Sequence, residues 1–188
     1  MKWIGERISF VNEKGRTSIV ISPEKSALTS AMLGAWFFMW IAIGVIMIWS
    51  FFKLTLSDQE KIIIVVFLVF WAYYAIRVGR VFFWLLWGKE MIRIDEKGVT
   101  IKNSVRNYGK STIYFVENIK NLRINQPKER SIQAVWEKSP WIRGGERLEF
   151  DYVGKLVRFG KKLEEKELKV LFTLINKKVE EQRRVKRD

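Results

Sequence analysis

Two uninterrupted apolar runs, residues 31–52 and 62–76, constrain this chain more than anything else in it. Neither contains a charged side chain. The first, Ala31 to Phe52, makes roughly 33 Å of helix at ~1.5 Å per residue, enough to cross a ~30 Å hydrocarbon core. The second, Ile62 to Ile76, gives only about 22 Å on the same rise. It is then interrupted by Arg77 and Arg80 before a further aromatic stretch, Val81 to Trp87. Runs of this length, apolar on every face, are expected to be transmembrane helices rather than the core helices of a soluble protein. The divisions expected are 1–30, 31–52 (first span), 53–61 (external loop), 62–87 (second span with an interfacial aromatic end) and 88–188.

Arg77 and Arg80 are three residues apart and so share a helix face. The first span offers them no carboxylate. They are therefore expected to snorkel to headgroup phosphates, with Lys89, and anchor the second helix at the inner leaflet. Phe82, Phe83, Trp84 and Trp87 would lie in the interface or under the soluble domain, where amphipathic rings settle.

Charge sets the orientation. Residues 1–30 carry five basic and three acidic side chains, residues 77–188 carry 27 and 15, and the loop 53–61 carries two of each. Both termini are expected in the cytoplasm, with the protein multi-pass in the cytoplasmic (inner) membrane. No cleavable signal peptide is expected, because the first 30 residues are charged and strand-like. The net charge of +14 raises nucleic acid as a partner, but no recognition motif accompanies it. A bilayer with anionic headgroups is the partner that it favours.

The chain has no Cys and no His. Disulfides, Cys/His metal sites and Cys–His or Ser–His nucleophilic pairs are thereby excluded. No cofactor and no metal are expected, and a non-enzymatic role follows.

Outside the two runs the period changes to two. Residues 7–22 read as a hairpin around Asn12-Glu13-Lys14-Gly15, and an isolated hairpin needs a sheet to pair with. Six short strands follow Glu90: Ile92 and Ile94; Val99 and Ile101; Ile113 and Phe115; Leu122 and Ile124; Leu148, Phe150 and Tyr152; and Leu156 to Phe159. Tight turns between them imply antiparallel pairing. Residues 163–184 return to a helical period, with an apolar stripe of Leu168, Leu171, Phe172, Ile175 and Val179 expected to pack on the sheet near Phe150. Residues 183–188 are expected to fray. The fold class read from this is membrane α plus soluble α+β: two spans, an antiparallel sheet and an amphipathic helix.

The order of elements resembles an uncharacterised family of prokaryotic two-helix membrane proteins with a C-terminal PH-like domain. The resemblance rests on Gly88-Lys89-Glu90, Ile119-Lys120-Asn121-Leu122-Arg123, Phe150-Asp151-Tyr152 and Val157-Arg158-Phe159-Gly160, and covers roughly residues 18–178. It implies a PH-like, partly open barrel capped by the last helix. It carries no activity and no catalytic residues. Arg77 and Arg80 depart from the family's small or apolar residues.

Three groups of side chains bear on function. Glu149 and Asp151 share a strand face and make a carboxylate pair, but a solvated face balanced by Arg147 and Lys155 is the favoured reading. Lys102, Arg106 and Lys110 cluster around a strand–turn–strand, a candidate headgroup or anion patch that also fits a plain solvated tip or non-specific attraction to anionic lipid. Trp136 and Trp141 lie on a Gly/Pro-containing loop, 126–146, as a candidate partner-binding site; membrane insertion or plugging of the domain's own core fit equally. The function expected is a binding or scaffold module at the inner leaflet, with a membrane or cytoplasmic protein partner and a place in a larger membrane complex. A direct sensor of anionic headgroups is the alternative. A homo-oligomer is left open, and an enzyme or transporter ranks well behind.

Overall fold

A computed structural model describes residues 2–13, 15–23, 26–106, 108–125 and 145–185. The chain divides into two compact units, Met1–Glu24 with Trp87–Asp188, and Lys25–Leu86.

The second unit is a pair of long helices, α1 (Ala27–Lys53) and α2 (Asp58–Trp87). Both begin before the apolar runs at 31 and 62, and their caps explain why. Ser26 accepts from the Thr29 amide at the start of α1. At the start of α2, Ser57 and Glu60 form a capping box: the Ser57 amide donates to the Glu60 carboxylate at 2.8 Å, and the Glu60 amide donates to Ser57 Oγ at 3.4 Å. That reciprocal pairing satisfies first-turn donors and sets the helix start in polar sequence. The external loop expected over 53–61 shrinks accordingly to Leu54–Ser57. α2 runs through Arg77 and Arg80 to Trp87 without a break.

Rings and glycines set the packing of α1 on α2. The Trp40 indole donates to the Trp71 carbonyl at 3.2 Å, and the Trp71 indole donates to the Trp40 carbonyl at 2.7 Å. A Cβ at Gly44 would lie 1.9 Å from the Trp71 ring, so only glycine admits that ring. Leu33, Val78, Val81 and Phe82 form a small buried cluster edged by Trp36, Phe37 and Leu85. Most of the other apolar side chains of the two helices are exposed.

The first unit is built of antiparallel strands and one helix. β1 (Lys2–Ile4), β2 (Ile8–Glu13), β3 (Arg16–Ile21), β4 (Gly88–Asp95), β5 (Gly98–Val105) and β6 (Ser111–Tyr114) form a six-stranded sheet in sequential order. β7 (Ile119–Ile124), β8 (Glu146–Tyr152) and β9 (Lys155–Lys161) form a second, three-stranded sheet. The two sheets do not close into a barrel. β1 lies outside the expected 7–22 hairpin, and β3 pairs with β4, setting Ile21 opposite Glu90. The helical pair is thus inserted between two neighbouring strands of one sheet.

The C-terminal helix α3 (Glu165–Val185) buries Leu168, Leu171, Ile175 and Val179. These join Ile8, Ile19, Ile92, Ile94, Val116, Ile119, Leu148, Phe150 and Phe159 in one core, with Phe172 partly buried against it. Phe150 is 1% exposed. The inward parity of each strand and the i, i+3, i+4 stripe of α3 are what bring these side chains together. Arg183 does not fray: α3 continues to Val185, and the Arg183 guanidinium donates to the Ile119 carbonyl and pairs with Glu180.

Candidate functional site

The segment following α2 holds the densest chemistry of the strand-rich unit. Parity along β4 turns Glu90 inward with Ile92 and Ile94, and Glu90 is 1% exposed. Its Oε2 accepts from the Gly160 amide at 3.1 Å and the Lys161 amide at 3.0 Å. The carboxylate thereby ties β4 of the large sheet to β9 of the small one. Gly160 adopts φ +75°, a left-handed conformation that glycine reaches without strain, and this turns the two amides together toward Glu90. Oε1 is buried without a partner. Burial pushes the Glu90 carboxyl above its ordinary range, opposed by Lys161 and the two amides. Lys161 Nζ lies 2.9 Å from Asn103 Oδ1 and 4.0 Å from Glu146.

A second buried pair latches the N-terminal strands to α3. Arg7 Nη2 donates to Glu167 Oε2 at 2.8 Å and to the Lys162 carbonyl at 2.7 Å. Both side chains are about nine-tenths buried, at 11% and 9% exposure. Neither Glu90 nor the Arg7–Glu167 pair was among the sequence candidates. For Glu90 the signal was present, since it continues the inward parity of Ile92 and Ile94. The Arg7 pairing spans nearly the whole chain, and no local pattern announces it.

Glu149 and Asp151 do not form the solvated face expected of them. Glu149 is 7% exposed and is bracketed by cross-strand partners on both sides. Arg123 Nε donates at 2.7 Å from β7 and Arg158 Nε at 3.2 Å from β9. Asp151 accepts from Asn121 at 2.8 Å, with Arg123 at 3.5 Å. A register shift between Lys120 and Arg123 brings both residues to these carboxylates, and Asn121 takes φ +49° to make it. The expected partners Arg147 and Lys155 are not the ones used, because Arg147 pairs with Glu165. The bond to Glu149 holds the Arg123 guanidinium above its ordinary range. With two cations on one carboxylate, this cluster is an ion-pair network rather than an acid–base dyad.

Of the expected anion patch, Lys102 sits on β5 opposite Met91 and Ser111. Arg106 and Lys110 are exposed in the β5–β6 connection. Arg106 lies over the Trp87 ring, 4.5 Å from its centroid. Lys89 is exposed on β4, opposite Ser104. Arg77 and Arg80 are exposed on α2, and Arg77 donates to Tyr73 Oη at 2.9 Å, one turn toward the start of the helix. Trp136 and Trp141 lie outside the described residues. Among the described residues, no group of three or more Asp and Glu side chains is placed to hold a metal ion.

The four sequence words behind the family resemblance meet in space. Glu90 binds Gly160, Asn121 binds Asp151, and Phe150 stands opposite Val157. Neither the family models nor the curated proteins give a match to this chain.

Proposed function

We propose that this chain is an integral membrane protein of the cytoplasmic membrane, with α1 and α2 as its spans and both termini cytoplasmic. The strand-rich unit is then a PH-like domain, a binding or scaffold module held at the inner leaflet as part of a larger membrane complex. Arg77, Arg80 and Lys89 anchor the second span at the headgroups. The observation that carries this reading is the burial of the two helices. In the most apolar stretch of α1 only 22% of the residues are buried, and in that of α2 only 11%. A core helix of a soluble protein hides its apolar surface, whereas Phe38, Ile46, Trp49, Ile63, Val69 and Phe70 all stand more than half exposed. In water an exposed apolar area of that extent is untenable; in lipid it is the matched surface.

The scaffold reading is supported by what the strand-rich unit does with its ionisable groups. Glu90, Arg7, Glu167 and Glu149 are each tied into contacts that hold strands and helix together.

Two measurements test the proposal. The chain is Cys-free, so a single Cys at Thr55 and another at Lys155 report topology. An impermeant thiol reagent on intact cells should label Thr55→Cys and spare Lys155→Cys; the reverse pattern overturns the orientation. Cross-linking of the full chain in native membranes, followed by purification in mild detergent, should recover one protein in fixed ratio. Recovery of the chain alone overturns the scaffold role.

A further inference from the structure

We propose that the β5–β6 turn is a second membrane-contact element, which places Tyr108 in the interfacial layer and Arg106 and Lys110 among the phosphates of anionic phospholipids. This rests on reading α2 as a membrane span.

The turn is tied to Trp87 through Arg106. Val105 and Tyr108 exchange two backbone hydrogen bonds, at 2.9 and 3.2 Å. The Arg106 amide donates to the Trp87 carbonyl at 2.9 Å, and the Arg106 guanidinium covers the Trp87 ring. A Cβ at Gly109 would lie 2.0 Å from the Asn103 carbonyl oxygen, so the chain is pressed against β5 immediately after Tyr108. Trp87 is the last residue of α2. A span that ends on Trp places that ring at the interface, and two direct contacts carry Arg106 to the same depth.

What the turn presents there matches a lipid surface. Tyr108 is 86% exposed, the most exposed large apolar or aromatic side chain among the described residues, above any such residue of α1 or α2. It has the apolar body and polar tip that suit the headgroup boundary. Arg106 and Lys110 flank it, Lys89 and Lys102 lie nearby on β4 and β5, and residues 97–116 contain no acidic side chain. Basic groups clustered beside a membrane exit are drawn to anionic leaflets. An acidic protein surface would also meet this charge, but it would not account for a lone protruding Tyr fixed to the end of a span.

The test uses the full chain in vesicles of phosphatidylcholine with phosphatidylglycerol. A spin label at Ser111→Cys, next to the turn, is compared with one at Val66→Cys, within α2. Access of lipid-soluble oxygen and of a water-soluble nickel chelate is measured for both. The expected result is a Val66 label in hydrocarbon and a Ser111 label at headgroup depth. Nickel access at Ser111 should rise severalfold on Arg106→Glu with Lys110→Glu, on Tyr108→Ser, and in phosphatidylcholine alone. A Val66 label in hydrocarbon with a Ser111 label fully in water overturns this proposal and leaves the membrane reading intact. A Val66 label outside hydrocarbon overturns both. Equal protection of Ser111 in detergent micelles, or indifference to lipid charge and to all three substitutions, assigns the shielding to protein and overturns the lipid contact.

Discussion

The helical pair and the strand-rich unit solve the same packing problem in opposite ways. The strand-rich unit collects Ile, Val, Leu and Phe into one interior and puts most of its charge outside. The few ionisable groups that it buries each meet a partner: Glu90 two backbone amides, Arg7 the Glu167 carboxylate, Glu149 two arginines. The helical pair turns most of its apolar side chains outward and packs through glycines, aromatic rings, two reciprocal indole–carbonyl bonds and a small cluster around Leu33, Val78 and Val81. The hydrophobic effect organises the first, since water is its solvent. It does nothing for the second if lipid is the solvent, where close approach and hydrogen bonding must hold the helices together. One chain thus carries two packing codes, and each should fail to its own kind of substitution.

The largest effect is expected from Phe150→Ala. Phe150 touches Tyr114 and Phe159 through ring contacts at 5.3 and 5.7 Å and is fully buried, so truncation leaves a cavity and should cost about 3–5 kcal/mol. The full chain in detergent, followed by near-ultraviolet circular dichroism, should show the midpoint of the strand-rich unit falling by many degrees. An unchanged midpoint would break the claim that this interior is close-packed. Gly44→Ala should come next and should strike only the other unit. The added methyl would overlap the Trp71 ring, and overpacking of this kind costs about 1–3 kcal/mol. Hydrogen exchange in nanodiscs should quicken for amides around Trp40 and Trp71 while those of β4, β5 and β8 keep their rates. Quickening in both units together would show that they are not separate packing systems.

Much of this architecture was legible, and the limits are physical. Apolar runs without charge announce helices that lipid can cover, and strand parity placed Phe150, Ile92 and Ile94 inward. The same parity points Glu90 inward, although a carboxylate is seldom fully buried. Helix starts were misplaced because the Ser57–Glu60 capping box lies in polar sequence ahead of the apolar run. The setting of Glu149 depends on a register shift near Asn121, and a one-residue slip changes every cross-strand neighbour. The turn of Arg106 onto Trp87 depends on a backbone φ of +55°, which no periodicity encodes. Long-range ties such as Arg7 to Glu167 leave no local trace at all.

The finest test of the comparison is a slope rather than a shift. Among the described residues Glu90 is the most completely buried ionisable group of the strand-rich unit, and burial raises its carboxyl above the ordinary value of 4.5. The folded state therefore holds this proton more tightly than the unfolded chain does. The sign follows from linkage: the contribution of Glu90 to stability is fully present below its unfolded pKa and is lost as pH rises through the higher folded value. Glu90→Gln keeps the shape and an oxygen to accept the Gly160 and Lys161 amides, but it cannot ionise. Other groups titrate equally in both proteins, so the difference between their melting midpoints isolates this one. Near pH 4 the two should melt together. Above that the wild type should fall progressively below the variant, and the gap should level off once the buried carboxyl has ionised. Glu90→Ala checks the tie itself: with both amides left without an acceptor, it should lose about 1–3 kcal/mol for each group left unpaired, at every pH. A gap that opens in the other direction, with the wild type gaining on Glu90→Gln as pH rises, would mean that Lys161 and the two amides outweigh desolvation. The buried carboxylate would then stabilise the joint between the sheets as an ion, and the contrast with the charge-free contact between α1 and α2 would be sharper still.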